Sequence, residues 1–243
     1  MAGMRMNGAK FLAESLKEYE VTHVFLVPTI LSYALVEMER LGITRIVTHG
    51  EKAAAYMADG YARATGKPGV CMAQTVGAAN LAAGLRDPFL ACTPLLAFTG
   101  GPYRNTRDRY TYQQIDDFPL FKPVTKFSTM VDNIDRLPDL LRQAFRAATT
   151  GTPGPAHIQF EGHTGKIETQ EGDLELIADK RFSRVPPFRP EADAAAVKEA
   201  IRLLGKARKP IIVAGGGVAA SQAQAELVKL AEKLQIPVAT SLN

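Results

Sequence analysis

An α/β fold, a parallel sheet flanked by helices, is the fold class this sequence predicts, and three observations predict it. Short β-branched or apolar runs alternate with helical repeats from residue 7 to residue 160. One such run, Thr44 to Thr48, passes directly into an alanine-rich segment. Its small and apolar side chains recur at Ala54, Ala55, Ala58, Tyr61 and Ala62, the repeat of a helix lying on a sheet. The composition, 46% hydrophobic and 22% charged over 243 residues, suffices for the core of one large or two small domains.

Taken in order, Asn7 is placed to cap a first helix through Phe11, Leu12, Leu16 and Tyr19. His23 to Val27 reads as a strand and Thr29 to Arg40 as a helix that Leu41-Gly42 ends. The Thr44 strand and a helix from Glu51 to Thr65 follow, closed by Gly66-Lys67-Pro68. Gly69 to Ala73 is strand-like, Ala78 to Ala91 a helix distorted or ended near Pro88, and Pro94 to Phe98 a strand that stops at Gly100-Gly101. Pro102 to Pro123 is long, polar and aromatic, and connections of that length in compact α/β domains tend to carry function. Leu137 to Thr150 then reads as a helix and Pro155 to Phe160 as a last strand.

The character changes after Glu161. Residues 164–190 are polar, with Pro186, Pro187 and Pro190 near their end, and read as a linker between a domain over 1–163 and a second α/β unit over 191–243. That unit has helices at 192–204 and 221–234 and strands at 209–214 and 236–241. So small a unit buries too little surface to stand alone, which predicts an N-terminal fragment, or a unit packed onto something outside this sequence.

A net charge of +4 with scattered basic residues argues against nucleic acid. No long apolar run or signal peptide is seen, so no membrane is expected and a cytoplasmic setting is the default. Cys71 and Cys92 lie in apolar contexts without Cys-x-x-Cys spacing and read as buried free thiols.

Three local features carry chemistry. Glu51 opens a helix directly after a strand, and the crevice beyond the carboxyl ends of parallel strands is where ligands bind. Its role is either that of a working acid or that of a first-turn acid complementing the helix dipole. The loop Tyr103 to Tyr110 interleaves Arg104, Arg107 and Arg109 with aromatics, which suits either a carboxylate or phosphate ligand or a solvated contact loop. Gly215-Gly-Gly217-Val-Ala-Ala220 spells a weak dinucleotide-like pattern after a strand, with no acidic residue closing the next strand.

The run His49-Gly-Glu51 through Asp59-Gly-Tyr-Ala-Arg63 to Gly66-Lys-Pro-Gly-Val70 resembles the pyrimidine-binding domain of thiamine-diphosphate enzymes of the acetolactate synthase and 2-oxo acid decarboxylase type. Val24 to Pro28, Gly77 to Leu81 with Thr93 to Gly100, Tyr112 to Lys126, and Ala144 to Pro155 are similar to further stretches of that family in the same order. Residues 209–241 resemble the opening of its central domain.

The resemblance implies a C–C lyase or carboligase acting on a 2-oxo acid. Glu51 would be the catalytic residue, hydrogen-bonding the aminopyrimidine ring of thiamine diphosphate and thereby activating the cofactor. It places Pro28, Thr75 and Asn80 on the cofactor side, and His49, Gln113 and Lys126 on the substrate side. The family's diphosphate is held through Mg2+ by a Gly-Asp-Gly motif in another domain, and Gly172-Asp173-Leu174 lacks the second glycine. Half an active site is therefore expected, completed by the remainder of the chain or a partner subunit in a homo-oligomer, at least a dimer. FAD or an adenine nucleotide in the central domain stays open. This sequence departs from the family at Gly50, where histidine is common, and at Pro28-Thr29, where the turn is usually glycine-rich. The alternatives are a non-catalytic relative, or an oxidoreductase using the Gly215 turn.

Overall fold

The computed structural model describes residues 4–106 and 108–241, so Arg107 and Asn243 lie outside it. The described residues divide into two compact units, one reaching Pro187 and the other beginning at Phe188.

In chain order the first unit comprises β1 (Met4–Asn7), α1 (Gly8–Glu18), β2 (His23–Leu26), α2 (Ser32–Arg40), β3 (Thr44–Val47), α3 (Glu51–Thr65) and β4 (Gly69–Ala73). These are followed by α4 (Ala78–Gly84), α5 (Arg86–Leu90), β5 (Leu95–Gly101), β6 (Phe127–Val131), α6 (Leu137–Thr149), β7 (Pro155–Glu161) and β8 (Glu171–Leu174). Six strands form one parallel sheet in the order β3-β2-β4-β5-β7-β6, the parallel α/β architecture expected from the sequence.

Strand alternation sorts side chains onto two cores. Val70, Met72, Leu96 and Phe98 pack on the face covered by α1, α2 and α6, while Cys71, Ala73, Leu95 and Ala97 pack under α3 and α4. Every residue of β4 and β5 is buried, which is why these strands read as unbroken apolar runs. Asn7 caps α1 as expected, its Oδ1 accepting from Lys10 N at 2.9 Å.

Several boundaries differ for physical reasons. Helix α2 begins at Ser32 rather than Thr29, because Thr29 and Leu31 stand at φ of 88° and 49°. The 78–91 helix breaks at Leu85, leaving Pro88 in the first turn of α5, where a missing N–H costs nothing. β5 runs on through Gly100-Gly101. β1, β6 and β8 were not expected. β8 (Glu-Gly-Asp-Leu) shows no apolar alternation strong enough to announce a strand, yet it pairs antiparallel with β1. The segment expected as a linker from 164 belongs to the first unit as far as Pro187, with Ile167, Leu174 and Phe182 in the core. Cys71 is buried as expected, but Cys92, at φ of 56°, is exposed; both are free.

The second unit contains α7 (Ala194–Lys206), β9 (Ile212–Ala214), α8 (Gly216–Ala220), α9 (Gln224–Leu234) and β10 (Val238–Thr240), with β9 and β10 parallel. Among the described residues no helix is long and apolar enough to cross a membrane.

Candidate active site around Glu51

Helix α3 is built to lie close. Its alanines at 54, 55, 58 and 62 are buried, and a methyl group at Gly69 would stand 2.2 Å from the carbonyl oxygen of Ala58, so the helix rests on β4 backbone against backbone. Its start is tied to the sheet by Thr48, whose hydroxyl donates to the carbonyl of Gly50 at 2.9 Å and to that of Leu26 at 3.3 Å. Gly50 is extended at φ of −176°, with nothing within 4 Å of where a side chain would begin, so neither conformation nor space demands glycine there.

Glu51 thus emerges at the carboxyl edge of the sheet, half-buried. The hydrogen bond that fixes it comes from another helix: Asn80 Nδ2 on α4 donates to Glu51 Oε2 at 3.1 Å. Below the carboxylate lies Gly77, where a methyl group would stand 2.4 Å from Oε1. Gly77 has φ of −88°, so clearance for Glu51, not backbone conformation, is what requires glycine. Thr75 shares that turn; it is fully buried, its N–H donates to the carbonyl of His163 at 3.2 Å, and its hydroxyl has no partner among the described residues.

Asn80 and Gly77 are therefore gathered with Glu51, and Thr75 lies in the same turn as Gly77. The set fits a nitrogen-bearing ring: a carboxylate accepts from an amine or a protonated ring nitrogen and repels an anion, and a buried hydroxyl without a partner can donate or accept. No group of three or more His, Cys, Asp or Glu that could hold a metal ion occurs among the described residues.

The other candidates are placed as follows. Pro28 is exposed in the turn after β2, on the same edge of the sheet, and Leu31 N in that turn donates to the Thr164 carbonyl at 2.8 Å. Gln113, at φ of 57°, donates through Nε2 to the Tyr112 hydroxyl at 3.0 Å, while its Oε1 is buried without a partner among the described residues. Tyr112 and Tyr103 stand edge-on to His163, at 6.4 Å and 5.9 Å between ring centres, so the Gln113 loop folds onto the residue that also receives Thr75. His49 is exposed beside Gly50.

Lys126 does not join them. Its backbone N–H donates to Pro155, the residue that opens β7, which puts it at the amino edge of the sheet, opposite Glu51. Its ammonium donates to the carbonyls of Ala147 and Thr150 at 2.6 and 2.7 Å and closes the last turn of α6, in place of the substrate-side position expected for it. Arg104 is committed to an ion pair with Asp132, and its backbone N–H to Glu161. The Gly215 turn does connect a strand to a helix, but α8 has only five residues.

Two buried polar residues gave no signal in the sequence. His157 is fully buried, with Nε2 2.8 Å from the Thr99 hydroxyl and Nδ1 2.9 Å from that of Ser128, and it stacks on Phe121 with ring centres 3.5 Å apart. Burial pushes its pKa down to about 3, so it is neutral. Glu168 is buried too, and burial raises its carboxyl, although it accepts from the amides of Tyr33 at 2.9 Å and Ala34 at 3.2 Å.

Comparison with known proteins agrees with this geometry. Residues 6–120 match the model of the N-terminal TPP binding domain of thiamine pyrophosphate enzymes, and residues 197–243 match the model of their central domain. The acetolactate synthase of Arthrospira platensis is 34% identical over 244 residues, covering 98% of this chain and 42% of that protein. The acetolactate synthase large subunit of Corynebacterium glutamicum is 32% identical over 243 residues, 98% of this chain and 38% of that protein. A Methanocaldococcus jannaschii protein named as a probable acetolactate synthase large subunit is 36% identical over 205 residues, 82% of this chain and 34% of that protein. The chain thus spans less than half the length of the curated relatives it matches. With both domain models matched in order and an acid held over a glycine at the edge of the parallel sheet, the chain belongs to the thiamine pyrophosphate enzymes.

Proposed function

We propose that this chain supplies the pyrimidine-side half of the active site of a thiamine-diphosphate-dependent carboligase of the acetolactate synthase type, acting on a 2-oxo acid. The observation that carries the reading is the Glu51 carboxylate, oriented by Asn80 and seated over Gly77 at the mouth of α3. When bound, the cofactor supplies the electron sink that decarboxylation of a 2-oxo acid needs. Glu51 holds or releases a proton at its carboxylate against the ring nitrogen, Asn80 keeps that carboxylate from turning away, and the Thr75 hydroxyl and the Pro28 turn line the cofactor side. Gln113 and His49 face the same edge and serve the substrate.

In this reading Mg2+ and the diphosphate are held by a further domain or a partner subunit, and the working protein is at least a homodimer. Tyr56 and Met57 on α3 and Val76 in the adjoining turn, each about half exposed, support it as an apolar rim that another chain would cover. Two free thiols suit a cytoplasmic setting.

Replacing Glu51 by Gln in the complete protein tests the proposal. Turnover of a 2-oxo acid such as pyruvate should fall by about 100-fold or more while thiamine diphosphate still binds. Near-normal turnover would overturn it.

A further inference from the structure

The stretch that follows β7 makes a set of contacts which the sequence did not foreshadow. Three successive carbonyls each accept a backbone N–H from a different part of the carboxyl edge: Gly162 from Gly101 at 3.1 Å, His163 from Thr75 at 3.2 Å, and Thr164 from Leu31 at 2.8 Å. Gly162 and Gly165 both stand at φ of 86°, which turns the stretch back across the edge, and a methyl group at Gly100 would lie 2.1 Å from the His163 carbonyl oxygen. The stretch ends in Glu168, whose carboxylate takes the amides of Tyr33 and Ala34 at the start of α2. Helix α2 has no cap of its own, because Leu31 at its N-cap position is apolar and left-handed.

We infer that Gly162–Glu168 is a strap that holds the cofactor-side turns at Pro28 and Thr75 and the Gln113 loop in register, with Glu168 as its positioning residue. The inference rests on the thiamine-diphosphate reading above. Each turn gives up one amide to the strap, and the aromatic side of the loop closes on His163, so all are located by one short piece of chain. Glu168 is where the strap is anchored by a side chain: its Oε2 accepts both amides at the otherwise uncapped start of α2. Loss of that tie leaves the start of α2 without its acceptor and the Pro28–Leu31 turn held to the strap by the Leu31–Thr164 bond alone, without touching Glu51.

The test uses the complete protein. Titration calorimetry with thiamine diphosphate and Mg2+ is run on wild type, Glu168→Ala and Glu168→Gln, beside thermal unfolding of each without cofactor. Glu168→Ala should weaken cofactor binding about tenfold, and Glu168→Gln, which keeps an oxygen where Oε2 accepts both amides, should stay within about threefold of wild type. A role in stability alone would lower the melting temperature and leave the Kd unchanged. A folded Glu168→Ala that binds like wild type, or a Glu168→Gln no better than Glu168→Ala, overturns the strap and leaves the cofactor reading standing; absence of binding by wild type overturns both. Hydrogen exchange on wild type decides independently of how the variants fold. Cofactor should slow exchange at residues 28–34, 74–77 and 162–168 together, and protection of the turns with the strap unchanged overturns the inference.

Discussion

Asn80 reaches from α4 to hold Glu51 on α3, its amide 3.1 Å from Oε2, so the orientation of the acid is set by a helix other than its own. A hydrogen bond to a charged group is worth about 1.5–3 kcal/mol. Asn80→Ala should therefore lower turnover of the complete enzyme by about 10- to 100-fold, and Asn80→Asp further still through like-charge repulsion. Steady-state kinetics of the two variants check this; equal rates for wild type and Asn80→Ala would mean that Glu51 orients itself.

Gly77→Ala places a methyl group where the Glu51 side chain now lies. The atoms it meets belong to the end of a flexible side chain, so the fold should survive with a melting temperature close to that of wild type. Glu51 must move, and cofactor affinity should drop about tenfold or more. Calorimetry paired with thermal unfolding separates the two effects, and an unchanged Kd would place Glu51 elsewhere.

Thr29 is β-branched and stands at φ of 88°, a conformation that glycine takes freely. Thr29→Gly should raise stability by about 1 kcal/mol, read as a higher denaturant midpoint with unchanged slope. A lower midpoint would show that the Thr29 side chain contributes more than its backbone costs.

Lys126 closes α6 from the edge of the sheet away from Glu51. Lys126→Met should cost about 0.5–1 kcal/mol of stability and change KM for the proposed 2-oxo acid substrate by less than about twofold. A large rise in KM would restore it to the substrate side.

His157 is held neutral by burial, with its pKa down at about 3 against about 6.5 in the unfolded chain. Between those values the unfolded chain binds the extra proton, so stability is full above about pH 6.5 and is lost as pH falls, by about 1.4 kcal/mol per pH unit. Denaturation midpoints at pH 7 and pH 5 should differ markedly in wild type and less in His157→Gln. Equal pH dependence in the two proteins would assign the loss to other groups.

The sheet and the position of Glu51 were legible because both rest on side chains. Leu95 to Phe98 reads as a fully buried strand, and the alanines of α3 announce a helix that must lie close. The strap was not, since its work is done by the carbonyls of Gly162, His163 and Thr164, and a backbone acceptor leaves no mark in a sequence. The resemblance puts Asn80 on the cofactor side, but its bond to Glu51 is not legible from spacing along one chain, because it depends on how closely α3 and α4 approach. Lys126 misled because the same side chain serves as a helix stop or as a substrate ligand, and only the direction of β7 tells which edge it occupies.

Gly50 has a consequence for redesign. Its backbone is extended and the space beside it is empty, so any of the common side chains can be introduced next to Glu51 without repacking a core or straining a turn. Histidine, asparagine or a bulky apolar group can therefore be set one residue from the acid, each by a single codon change, while Glu51 stays where Asn80 and Gly77 keep it.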